Sequence, residues 1–498
     1  MNTMGVLRSG LRIGFLFSVL LMVAACKPTA VTTITVTATT TASRVVTTTP
    51  PSATTAVVTT PPKPTPTIVT TTSITTSAAT STTKAAPPTT TTTTSTSPAP
   101  SRLVYRNLTN SVLSPESKAL QSSNKEVVAS ATGLLAYLSN LDMTGEADGV
   151  PNYEVMLMSG GVATQVTRTT TTRFPLLDQT VDVTNWGATI SRSGNVVVFA
   201  SNGDLLGKSQ PGIEQVYLYD VSSRALRQLS NMDTSRGPQL RDKVEGPRVS
   251  ADGAVVAWVE HDVRSQPFGP VDSRLRVTNA SGATIITVPL TGAPFYDNGL
   301  DFALSGDGKT IIYTSFHDPV QQNKVGANQL FLLNAVSGAV TQISRLPATT
   351  ERFDQPALGQ DGTMMAVWTN AVGFSRTRDR SVLALVDSKG AFVRVLAEAG
   401  NHFDAGLNIF GRPRVNAGLG FVSFRAGTVA GAPQLNYRVN AASGEVLYLG
   451  ASLLGFSPGI TEDGRFLFVT GSGEQLTPNQ IAQNRDRNDE IWSIEVQF

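Results

Sequence analysis

From about residue 102 onward the chain is a succession of short apolar runs separated by turn residues. Val196-Val197-Val198-Phe199-Ala200 is continuously apolar and largely β-branched, the pattern of a strand covered on both faces. A polar loop follows, then Val216-Tyr217-Leu218-Tyr219-Asp220. After a Ser222-Ser223 turn, Ala225-Leu226-Arg227-Gln228-Leu229 alternates like an edge strand with one wet face. The order recurs in Met364 to Trp368, Val382 to Val386 and, after a Lys389-Gly390 turn, Phe392 to Leu396. Each unit is predicted to be four antiparallel strands, a to d.

A turn phrase marks the units. Ser191-Arg192-Ser193-Gly194, Ser250-Ala251-Asp252-Gly253, Ser305-Gly306-Asp307-Gly308, Gly359-Gln360-Asp361-Gly362 and Thr461-Glu462-Asp463-Gly464 each precede an apolar run. Ser130-Ala131-Thr132-Gly133 is a weaker copy and Asn416-Ala417-Gly418-Leu419 the weakest. The Gly supplies the positive φ of a tight a–b hairpin. Self-similarity at a period of about 50–60 residues with β-rich units points to an all-β propeller. Seven copies predict seven four-stranded blades; six blades plus an irregular unit is the alternative, because the Asn416 copy is degenerate. The last unit lacks a d strand, whereas Leu103 to Thr109 resembles one. The N-terminal strand is therefore expected to close the C-terminal blade and remove a free edge.

The unit, apolar-Ser-x-Asp-Gly followed by a Tyr-Leu-Tyr-Asp type strand, resembles the TolB-like and WD-repeat-like β-propeller families over about residues 102–498. No Trp-Asp ending is present, so it is not a standard WD repeat. The resemblance implies an interaction platform whose partner varies from member to member.

The front of the chain is different. Arg8 and Arg12 precede the apolar run Ile13 to Val23, and Val23-Ala24-Ala25-Cys26 follows. A basic start, a short apolar core and small residues read as a secretory signal over residues 1–25. The small-small-Cys ending resembles the bacterial lipobox, which implies a lipid on Cys26 and anchoring to a bacterial membrane on its exported side. An ordinary signal peptide with an incidental Cys is the alternative. Cys26 is the single cysteine of the chain, so no intramolecular disulfide can form. Residues 26–101 are rich in Thr, Ser, Pro, Ala and Val, with no aromatic residue and no acid. Such a segment buries too little apolar surface to offset ordering entropy and reads as a tether. At about 75 residues its root-mean-square reach would be roughly 50 Å.

The chain carries 39 Lys and Arg against 37 Asp and Glu. Six of the basic residues precede Arg102, so residues 102–498 are mildly acidic and lack the footprint of a nucleic-acid binder. Strand polarity puts the short a–b and c–d turns on one face and the long b–c and d–a connections on the other. Long loops on a rigid scaffold carry function more often, which makes the long-loop face the expected binding surface.

Three d–a connections pair an aromatic with an acid: Phe295-Tyr296-Asp297, Phe353-Asp354 and Phe403-Asp404. Asp297, Asp354 and Asp404, with His402 beside the last, form a candidate ligand or cation site. The competing account has each Asp capping its own loop and each Phe packing between blades. Gly455-Phe456-Ser457-Pro458-Gly459 spells a nucleophile elbow but leads into a β repeat. Asn484 to Glu490 alternates oxygen ligands, yet its arginines and missing Gly fit a solvated loop better than a calcium loop. No cofactor is expected. The favoured reading is a monomeric, non-catalytic, tethered propeller that binds a protein, glycan or envelope component. The alternative is an extracytoplasmic glycan hydrolase or lyase using acids at the channel mouth.

Overall fold

The structure is a computed structural model. It describes residues 102–109, 124–140, 152–169, 172–174, 179–181, 183–209, 212–232, 243–262, 272–290, 301–316, 318–374, 381–404, 406–428, 434–452, 457–471 and 490–497. The signal, the tether and Cys26 lie outside these residues. The chain divides into residues 1–93 and 94–498, and all the described residues belong to the second unit.

Seven four-stranded antiparallel sheets form the blades of a closed propeller. In blade 2 the strands are a Asn185–Ile190, b Val196–Ser201, c Gln215–Asp220 and d Ala225–Gln228. The b strand is buried along its whole length, as its unbroken apolar run requires, and the d strand is half exposed. The other inner strands are Asn124–Ala129, Lys243–Val249, Phe302–Leu304, Phe353–Leu358, Asn408–Val415 and Gly459–Ile460. A small extra hairpin, Thr172–Phe174 with Gln179–Val181, sits between blades 1 and 2 in the sequence. No helix occurs among the described residues.

Blade 7 closes the ring as expected. Its a, b and c strands are Gly459–Ile460, Phe466–Gly471 and Glu490–Gln497, and its d strand is Arg102–Asn107. Arg102 pairs with Gln497 and Asn107 with Trp492. A repeated clamp explains the fit. In blade 2 the Val216 amide donates to Ser230 Oγ at 2.8 Å, and that hydroxyl donates to Gln215 Oε1 at 2.6 Å. Leu330, Ser344 and Gln329 repeat this in blade 4. Val155, Thr167 and Glu154 repeat it in blade 1. In blade 7 the Ile491 amide donates to Thr109 Oγ1 at 3.0 Å, and Thr109 donates to Glu490. The N-terminal strand therefore ends in the same hydroxyl hook as the ordinary d strands. Glu490, read as the end of a possible calcium loop, is spent on this hook.

The turn phrase works as a local clamp and a spacer. Ser250 Oγ donates to Asp252 at 2.6 Å and accepts from the Val255 amide, while Asp252 takes the Ala254 amide. Gly253 has φ 84°, and a Cβ there would sit 2.7 Å from Val196 of the preceding blade. Glycine is thus required by both the hairpin and the blade-to-blade approach. Apolar clusters fill the spaces between neighbouring blades, with Trp258 and Trp492 fully buried in them. Packing accounts for these two tryptophans.

Candidate functional site

The inner strands line an axial channel, and the sequence builds it in layers. Ala129, Ile190, Val249, Leu304, Leu358, Val415 and Ile460 each immediately precede a turn phrase, one per blade, and together they form an aliphatic belt. The second residues of the seven turns (Ala131, Arg192, Ala251, Gly306, Gln360, Ala417 and Glu462) ring the mouth below it. The two layers line an open cavity of about 180 Å³. Backbone bonds run from blade to blade around this mouth, among them Ala251 N to Gly306 O at 2.8 Å and Gln360 N to Ala417 O at 2.9 Å. Arg192 crosses the opening. It donates to Gln360 Oε1 and lies 3.0 Å from Glu462, so blades 2, 5 and 7 meet there.

Toward the long-loop face the inner strands bulge. Bulges interrupt the a–b pairing in five blades, at Glu126, Gly187, Gly246, Gln355 and Gly411, all with positive φ. A bulge bends the strand and re-aims its side chains, and bulges recur beside functional sites. Two of the five residues are not glycine and carry the steric cost of that conformation. Glu126 recovers some of it, because its carboxylate accepts the Gly187 amide of the next bulge at 2.6 Å. Four of these positions lie four residues ahead of a turn phrase, and Gly411 lies five ahead. That recurring spacing is a sequence signal for the bulges that the strand pattern alone does not carry.

A charged layer gathers at the bulge level. Arg412 Nη2 lies 2.6 Å from Asp301, joining blades 6 and 4. Their side chains are 19% and 21% exposed, so the pair is largely but not fully withdrawn from water. Burial pushes Asp301 up to about 7, the charge of Asp354 adds to this, and Arg248 pulls the other way. Burial also pushes Arg248 down to about 10, with Arg414 adding to the effect. Arg248 belongs to blade 3 and Arg414 to blade 6. The Arg414 charge is thus felt by Arg248 from across the ring. Burial raises Glu126 above the usual carboxylate range, against Lys125, two bulge amides and Arg414. The Lys125 ammonium is held over the Tyr153 ring.

The sequence-predicted acids fall in different settings. Asp354 accepts from Asn328 at 2.8 Å, pairs with Arg352 at 2.9 Å and bears on Asp301. Asp404 accepts the Gly406 amide at 2.9 Å and is exposed. His402 Nδ1 accepts the Glu398 amide at 3.1 Å. Asp297 lies outside the described residues. Phe353 and Phe403 pack into the clusters around blades 5 and 6. Among the described residues no group of three or more His, Cys, Asp or Glu side chains is placed to hold a metal ion. Ser457 is buried just before the last inner strand, at a turn into β structure. Arg248, Asp301, Arg412 and Arg414 were not singled out by sequence reasoning. They come from blades 3, 4 and 6, and only the closed ring brings them together.

No family model matches the chain, and no curated protein matches it. Solved structures do. An oligogalacturonate lyase from Vibrio parahaemolyticus is similar at 13% identity, with 79% of this chain and 96% of that chain covered and a TM-score of 0.50. TolB from Acinetobacter baumannii is similar at 14% identity over 68% of this chain, with a TM-score of 0.38. The match spans 65% of that TolB, less than two thirds of its length. A putative TolB from Agrobacterium tumefaciens is 14% identical, with 67% of this chain and 94% of that chain covered and a TM-score of 0.36. At these identities the likeness is one of fold: the chain is an all-β propeller of seven four-stranded blades.

Proposed function

We propose that the chain is an exported, lipid-tethered propeller that holds a protein, glycan or envelope component on its long-loop face without transforming it. The observation that carries this reading is the cross-axis pairing of the hub. Arg192 with Gln360 and Glu462, and Arg412 with Asp301, tie non-adjacent blades at two levels. A hub braced in this way is a rigid support for the connections that emerge above it. Asp297, Asp354, Asp404 and His402 are the chain's candidate ligand-binding residues. Photo-crosslinking residues at Lys208 and Gln322, on the long-loop face, and at Ser193 and Asp361, on the short-turn face, test the assignment in the native envelope. Adducts confined to the first pair are expected. Adducts confined to the second pair would overturn it.

One observation favours the alternative of a glycan hydrolase or lyase. A carboxyl raised toward neutrality and set beside arginines, as Asp301 is, suits proton transfer. Incubation with acidic and neutral polysaccharides, followed for new reducing ends and unsaturated products, distinguishes the two. Product formation lost in Asp301→Asn would establish the enzyme. Unchanged polysaccharides leave the binding platform as the reading.

A further inference from the structure

The cavity beneath the charged layer lies on the short-turn face, away from the proposed partner surface. Its wall is the seven-residue aliphatic belt and its mouth is polar. It is an open cleft of about 180 Å³, apolar at its depth and polar at its mouth. It therefore has room for one short aliphatic group.

The mouth selects the charge of whatever enters. Glu462 has both oxygens engaged, Oε1 by Arg192 and Oε2 by the Ala417 amide at 3.3 Å. Arg192 carries five N–H donors. Among the described residues it makes one contact to Gln360 and one to Glu462. The spare capacity at the mouth is donor capacity on a cation. The side chains of Arg192 and Glu462 are 36% and 35% exposed, so the bridge stands in reach of a solute. Arg192 is also the one cation among the residues lining the cavity.

We propose that this cavity binds a short aliphatic carboxylate, its hydrocarbon in the belt and its carboxylate on Arg192 in exchange for Glu462. The ligand has two possible sources, a free small acid or the C-terminal residue of a peptide ending in Leu or Val. Guanidinium–carboxylate pairing with part of the solute desolvated supplies the specificity.

The test is calorimetric titration of the intact exported chain with isovalerate, isoamylamine and acetate at matched ionic strength. Two peptides follow, Gly-Gly-Leu with a free C-terminus and the same peptide amidated. Saturable binding of isovalerate, and neither isoamylamine nor acetate at comparable strength, is expected. Binding of isovalerate with no response to either peptide identifies a free acid. Binding of the free peptide and not the amide identifies a chain end. Arg192→Gln should weaken binding by about tenfold or more, the loss of a charge-assisted pair. Glu462→Gln, which removes the competing carboxylate, should tighten it. Ala129→Leu, which fills the belt, should weaken it while leaving Arg192 in place. A flat isovalerate titration overturns the proposal, as does equal binding of the amine or unchanged binding in Arg192→Gln. The wild-type arms decide the case if a variant fails to fold. A failure here leaves the long-loop face assignment untouched, since the residues that line the cavity belong to the inner strands and the short turns.

Discussion

Thr109 shows how much one hydroxyl can hold. It satisfies the Ile491 amide and meets Glu490 across nearly the whole length of the propeller sequence. Thr109→Val keeps the shape and leaves a buried donor and a buried carboxylate without that partner. The expected cost is about 1–3 kcal/mol. Ser230→Ala and Ser344→Ala, which break the same hook inside continuous blades, should cost a similar amount. Urea denaturation of the three variants checks this, and a neutral Thr109→Val would remove the hook from the closure.

Asp301 supplies the pH dependence. Its folded pKa, about 7, stands above the ordinary aspartate value near ~4, so the folded state takes the proton first. Its contribution to stability is full below the ordinary value and is lost as pH rises through about 7. Wild type should lose stability over that window by an amount on the order of 2–4 kcal/mol relative to Asp301→Asn, which does not titrate. The contact with Arg412 trims the effect toward the lower figure. Melting curves of both proteins at several pH values read it directly, and parallel curves would contradict the assignment.

At the scale of elements, the closing strand and the turn glycines carry the argument. Deleting residues 102–109 uncovers the edge of Glu490–Gln497, and loss of a paired strand should lower the melting temperature markedly and promote aggregation. An unchanged melting temperature would contradict the closure. Gly390 makes a sharper point. Its φ is 84°, and a Cβ there would overlap the Ile343 carbonyl of the preceding blade. Gly390→Ala should cost several kcal/mol, since backbone cannot yield as a side-chain tip does, and thermal unfolding measures it.

These elements were legible in the sequence for a physical reason. A strand buried on both faces writes itself as an apolar run, and a positive-φ hairpin writes itself as glycine. The bulges at Glu126 and Gln355 wrote nothing of the kind, because there a costly φ is adopted by ordinary residues. The apolar residue before each turn phrase was visible, but its role in a belt depends on ring closure. The charged layer was hidden for the same reason: Arg248, Asp301, Arg412 and Arg414 converge only when blades 3, 4 and 6 face one axis. Asp354 was singled out as a loop acid, yet it stands on the inner strand of blade 5, and its neighbours Arg352 and Asn328 come from packing that spacing does not reveal.

At the scale of the whole molecule the proposed anchor can be tested apart from the propeller. Cys26→Ser should release the protein from the membrane fraction while the folded part keeps its melting temperature, because every described blade strand is built from residues 102–497. Fractionation with detergent partition reads the first effect and calorimetry the second. Retention of Cys26→Ser in membranes would exclude the lipid as the anchor.

The pairing of Arg102–Asn107 with Glu490–Gln497 also sets a timetable. The first strand of the propeller leaves the ribosome long before its partner, and Thr109 waits 381 residues for Glu490. At ordinary synthesis rates of about 5–20 residues per second, that wait lasts roughly 20–80 s. Until then residues 102–107 lack their partner strand, and the final blade cannot form in any product that stops before Glu490. Arg106 stands on that strand, where charge discourages pairing with the wrong neighbour. Ring closure is therefore gated by synthesis of residues 490–497: only a polypeptide that contains them can put its first strand away.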